Sequence, residues 1–193
     1  LVVSAPDIIS RKIFGSNSET VSERLDIDID FKNYQQLLND RTRAIYSGLN
    51  YDPVTVNGKV TYKGEDFKAE LRLKGDLIDH WNSKYRMSLR VNIKGQSTVM
   101  GFSEFSLHKP LARQHPYDQT FQSLMRRAGN LSAVHNYSHI YVNGIDWGIM
   151  NVEEHVSPEL LEKQEVKDSI IVRFGNDDRM FYKLNTKNRN NHY

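Results

Sequence analysis

The chain has 193 residues, long enough for one sizeable core, and its 38% hydrophobic and 26% charged content excludes an intrinsically disordered protein. With 26 basic against 24 acidic residues the net charge is +2, so there is no general electrostatic case for nucleic acid or an anionic membrane, and an anion site has to be a local cluster. The absence of cysteine removes disulfides, thiolate metal sites and a cysteine nucleophile.

No apolar run reaches the roughly 18 residues of a membrane span. The opening "LVVSAPDII" is too short and lacks the basic flank of a signal peptide. Residues 1–24 read as a loosely held arm, 25–183 as one domain and 184–193 as a polar tail. In "RLDIDIDF", Leu25, Ile27, Ile29 and Phe31 alternate with aspartates, the period of a half-buried strand. Asp30 is placed to cap a helix over "FKNYQQLLNDRTRAIYSG", with Tyr34, Leu37, Leu38 and Ile45 on one face and Gly48 ending it. Asn57-Gly58 reads as a hairpin turn, and Lys63-Gly64-Glu65-Asp66 as a second. "FKAELRLKG" puts Phe67, Ala69, Leu71 and Leu73 on one face and Lys68, Glu70, Arg72 and Lys74 on the other.

"KYRMSLRV" alternates in the same way. Lys84, Arg86, Ser88 and Arg90 face one side, and Tyr85, Met87, Leu89 and Val91 the other, so residues 67–75 and 84–94 are expected to pair antiparallel. Their basic faces form either one cationic patch or a solvated sheet face. "FSEFSLHKP" is a further short strand. In "PYDQTFQSLMRRAG" the stripe Phe121, Leu124, Met125 and Ala128 predicts a helix packed on the core. "SHIYVNGIDWGIMNVEEHV" is a hairpin about Asn143-Gly144, followed by a helix capped by Ser157 with Pro158 at its first position. "SIIVRF" and "RMFYKL" are expected to form a last hairpin. The fold class expected is α+β: a mostly antiparallel sheet meander with packed helices.

Glu153 and Glu154 close an apolar strand, where a carboxylate either fixes a cation or is an ordinary strand end. Asp177 and Asp178 suit Mg²⁺ or a hairpin turn. His135 and His139 are four apart but lie in a strand pattern, which argues against zinc, and no GxxxxGK[ST] phosphate loop is present.

The order of segments resembles the CotH family, spore-coat-associated proteins that look like atypical protein kinases. "LRLKGD" resembles its basic–glycine–polar strand end. "KYRMSLRV" resembles its lysine-x-serine-x-arginine strand, with Arg86 in place of the lysine. "RQHPYDQTFQSLMRRAG" resembles the helix before its hairpin, and "IYVNGIDWGIMNVEEHV" the hairpin itself. The resemblance implies an atypical kinase-like N-lobe and an ATP- and Mg²⁺-dependent phosphotransferase acting on serine or threonine of a protein substrate. This chain would supply mainly the nucleotide-gripping half. Lys74, Arg86, Arg90 and Glu154 would bind the nucleotide, and Asp178 would bind the metal. The family's catalytic aspartates belong to a later helical lobe, expected to be missing from these residues or lost. The sequence leaves the compartment open, with a secreted, cell-surface or spore-associated setting favoured. The rival expectation is a non-catalytic surface or coat-type binding module on the same scaffold.

Overall fold

The computed structural model describes residues 23–165 and 170–172. In chain order the elements are β1 (Arg24–Asp28), α1 (Phe31–Ser47), β2 (Val56–Tyr62), β3 (Glu65–Leu73), β4 (Leu89–Ile93), β5 (Glu104–His108), α2 (Tyr117–Arg127), β6 (His135–Val142), β7 (Ile145–Glu154) and α3 (Pro158–Lys163). Short 3₁₀ turns cover Ile78–His80 and Pro110–Arg113.

The expected α+β antiparallel meander of kinase-like N-lobe type is overturned. The strands close into a barrel in the order β1-β2-β3-β4-β5-β7-β6. Every neighbouring pair is antiparallel except the seam, where β1 runs parallel to β6 with Leu25 opposite Ile140 and Ile27 opposite Val142. Period-2 alternation dictates that one face of each strand is buried. It says nothing about whether the sheet's two edges meet, and here they meet through the first strand. The barrel is filled by the inward residues Leu25, Ile27, Val60, Leu71, Leu89, Val91, Phe105, Leu107, Ile140 and Val152, each at most 1% exposed. The α1 helix packs against β2 and β3 and adds Leu37 and Ala44 to the same core. Asp30 caps it, its Oδ1 accepting from Asn33 N at 2.8 Å, and Gly48 ends it at φ 72°.

Three local expectations also change. Asn57-Gly58 is not a turn but lies inside β2. Gly58 is needed there for close approach, since a Cβ would stand 2.5 Å from Leu71 Cδ1 and 3.0 Å from Asp28 O. The two-residue turns are Lys63-Gly64 (φ 52° and 83°) and Asn143-Gly144 (φ 49° and 75°), the backbone that a tight hairpin requires. The pairing of β3 with β4 is antiparallel as expected, Leu73 opposite Leu89 and Ala69 opposite Ile93. However, β4 begins at Leu89 rather than at residue 84. Ser88 N donates to His80 O at 2.7 Å, and the chain before it folds back as a turn.

The apolar stripe of α2 is exposed rather than buried, Phe121 at 57% and Leu124 at 58%, and no residue of α2 is fully buried. The strands' own inward side chains already fill the core. The helix instead lies over the polar outer wall, touching it through Asp118. The expected "SIIVRF"/"RMFYKL" hairpin falls outside the described residues apart from 170–172, which form no strand.

Candidate functional site on the outer barrel wall

Directly opposed residues in a sheet share a face, and the registers therefore align two transverse rows on the outside of the barrel. The first is Arg72, Arg90, Ser106, Glu153 and His135. The second continues from Lys74, whose N donates to Ser88 O at 2.9 Å, through His108 and Asn151 to Tyr137. An outer wall of this kind normally meets water. Here Ser88, Ser106, His108 and Asn151 are at most 1% exposed and Arg90 is 9% exposed. The 3₁₀ turn at 78–80 contributes to their cover: Ser88 Oγ lies 2.9 Å from His80 Nδ1 and 3.3 Å from His108 Nδ1, and the two imidazoles meet edge to face at 5.3 Å.

Cations gather round this pair. Lys74 Nζ donates to Ser106 Oγ at 2.7 Å, and Lys109 Nζ donates to Asn82 Oδ1 at 2.5 Å. Burial, together with the nearby charges of Lys74 and Arg113, pushes His108 well below its ordinary value of 6.5. Burial also lowers His80, opposed by Asp79 and helped by Arg113, Lys74 and Lys109. Lys109 is lowered by burial, Asp79 opposing and Arg86 contributing. Both imidazoles are thus held neutral among positive groups, which leaves the local field to the lysines and arginines.

The sequence-predicted site residues are distributed over this frame and beyond it. Lys74 and Arg90 stand on the outer wall. Arg90 Nη1 donates to Glu104 Oε1 at 2.8 Å and lies 3.0 Å from His155 Nε2. Arg86 sits on the turn before β4, its Nη2 donating to Ile149 O at 2.5 Å. Ile149 is five residues from Glu154 along β7, about 17 Å at roughly 3.3 Å per residue. Glu154 opposes Phe105, so it lies on the other face of the sheet from Arg90. It is 4% exposed, and its carboxylate accepts from Lys163 Nζ at 2.7 Å and Val134 N at 3.2 Å. The structure therefore does not bring Arg86, Arg90 and Glu154 to one point. Asp178 lies outside the described residues. An open cavity of about 770 Å³ between Glu23, Tyr62, Lys63, Met100 and Tyr137 contains none of these residues.

A family model, that of the CotH kinase protein, matches residues 71–193. The chain belongs to the CotH kinase family. No curated protein matches it. The CotH match opens within β3, just before Lys74, and takes in the outer-wall rows from β4 onward. The strands β1 and β2, which precede the match, complete the barrel, and helix α1 packs against β2 and β3. Sequence reasoning missed His108, Lys109 and Arg113. The one signal available for them was the strand-to-proline junction "LHKPLAR", whose basic residues follow directly on the strand end.

Proposed function

We propose that this CotH-family chain is the nucleotide-gripping part of an ATP-dependent kinase that phosphorylates serine or threonine in a protein substrate. The observation that carries the reading is the convergence of Lys74, Lys109 and Arg113 around the neutral His80–His108 pair, with Arg86 acting on Lys109 from the neighbouring turn. A group of cations with neutral imidazoles between them matches the charge and the several oxygens of a triphosphate. The guanidinium of Arg86 offers bidentate contacts and the lysines offer point charges. Arg90, braced by Glu104 and His155, would hold the wall in shape and lend charge from behind. Glu154 would act at one remove, fixing the end of β7 through Lys163. Asp178 would help to hold Mg²⁺, which would supply positive charge against the phosphates. Bound ATP would supply the phosphoryl group; the residues named here bind and orient it.

Calorimetric titration with ATP and Mg²⁺ tests the proposal. Lys109→Met and Arg86→Gln are each expected to weaken binding by tenfold or more, with melting temperature measured beside the heats as the control for folding. Equal heats for wild type and both variants would remove the nucleotide site. That outcome would favour a non-catalytic binding module, for which the exposed Tyr117, Phe121 and Leu124 of α2 supply an apolar face.

A further inference from the structure

Where α2 crosses the outer wall, three side chains from three elements meet. Asp118 comes from the first turn of α2, His135 from the start of β6 and Glu153 from near the end of β7. One ligand atom from each lies within 4.8 Å of the other two. His135 Nε2 is 4.0 Å from Asp118 Oδ2. The side chains are 4%, 23% and 13% exposed for His135, Asp118 and Glu153. His135 Nε2, Asp118 Oδ2 and Glu153 Oε2 are all buried without a hydrogen bond. Of these, Asp118 Oδ2 and Glu153 Oε2 face the Arg113 guanidinium, whereas His135 Nε2 has no hydrogen-bond partner, and leaving a buried polar atom unpaired is costly.

Two further observations point the same way. His108, only 1% exposed, directs a buried Nε2 with no hydrogen bond to within 3.4 Å of Glu153 Oε2. His135 is also braced from behind: its Nδ1 lies 3.0 Å from Nδ2 and 3.2 Å from Oδ1 of the fully buried Asn151. Metal binding would select the tautomer in which Nδ1–H is donated to Oδ1 and Nε2 presents its lone pair, the arrangement usual for a ligating imidazole.

The geometry points to a divalent transition-metal site, of the Zn²⁺ class, formed by Asp118, His135 and Glu153, with His108 beside Glu153. Imidazole with carboxylate suits such an ion, whereas Mg²⁺ prefers oxygen alone. Arg113 holds the place of the cation. Its Nη2 is 2.7 Å from Glu153 Oε2 and its Nε 3.2 Å from Asp118 Oδ2, so one guanidinium balances both carboxylates. It belongs to the 3₁₀ turn Pro110–Arg113 and its side chain is 33% exposed, which leaves it room to swing into solvent as the metal enters. The consequence is mechanical. Helix α2 buries no residue of its own, and a metal shared by Asp118 and two barrel strands would clamp it to the wall. Arg113 also belongs to the cation group proposed for ATP, but the metal titration is made without nucleotide, so its outcome is separate from that reading.

The test is titration of chelator-stripped protein with Co²⁺, read by its visible d–d absorption, and with Zn²⁺, read by calorimetry and melting temperature. Wild type is expected to bind one equivalent with a rise in melting temperature. His135→Ala and Glu153→Gln are each expected to bind at least tenfold more weakly. Arg113→Ala, which removes the competing cation, is expected to bind more tightly. That opposite sign keeps the test decisive even if a ligand variant fails to fold. Absence of stoichiometric binding by wild type would overturn the site, as would binding undiminished in His135→Ala, which would indicate surface imidazoles only. Weaker binding by Arg113→Ala would overturn the exchange of arginine for metal.

Discussion

The unusual feature at the scale of single residues is a buried pair of histidines on the outside of a barrel. His80 and His108 are both held below their ordinary value of 6.5, chiefly by burial. The unfolded chain takes up protons at these histidines as the pH falls through about 6.5, while the folded chain resists until lower pH. Stability is therefore complete above that value and declines below it. Asp79 opposes the effect at His80, and Lys74, Lys109 and Arg113 reinforce it. The expected result is a lower urea midpoint at pH 5.5 than at 7.5, measured with chelator present. His80→Asn should flatten that dependence, and equal pH slopes for wild type and variant would contradict the assignment. None of this was legible in "FSLHKP". Alternation identifies a polar side of the strand, but reads the same whether that side meets water or a covering turn. The same pattern led Arg86 to be placed on a strand, because the alternation of "KYRMSLRV" runs on past the point where Ser88 turns to His80.

At the scale of elements, most segments were legible from period and caps, and the misreadings came from partners remote in sequence. Asn57-Gly58 has the composition of a tight turn, yet the glycine answers to Leu71 and Asp28 packed against it within β2. In α2 the helical period was correct and the burial inferred from it was not. The difference is measurable. Leu124→Ala, at a site 58% exposed, is expected to change stability by no more than about 0.5 kcal/mol. Leu107→Ala, inside the barrel at 0% exposure, should cost roughly 2–5 kcal/mol. Denaturant titration of the two variants distinguishes a helix lying on the wall from one built into the core. A large loss for Leu124→Ala would show that its stripe is covered in solution.

At the scale of the whole molecule, closure of the barrel is the feature that no local pattern announced, because the residues that make it are the farthest apart. Ser138 Oγ donates to Glu23 O across 115 positions, and the parallel seam pairs Arg24–Ile27 with His139–Val142. The other sheet contacts join strands closer in the chain: β1–β2, β2–β3, β3–β4, β4–β5, β5–β7 and β6–β7. This sets an order of events. The ladder from β2 to β5 can assemble from neighbours, whereas β1 gains its second partner only after β6 has formed, against the entropy of closing a very long loop. During synthesis the first strand therefore waits, with one edge unsatisfied, until residue 142 has emerged. A cavity at the seam should then act after the rate-limiting step: Val142→Ala is expected to speed unfolding and leave the refolding rate nearly unchanged. Stopped-flow chevrons read both arms, and a slowed refolding arm would mean that the seam nucleates the fold. If it closes last, the barrel spends its vulnerable interval as an open sheet, and the nascent chain's exposure to misassociation is set by how quickly the ribosome delivers β6.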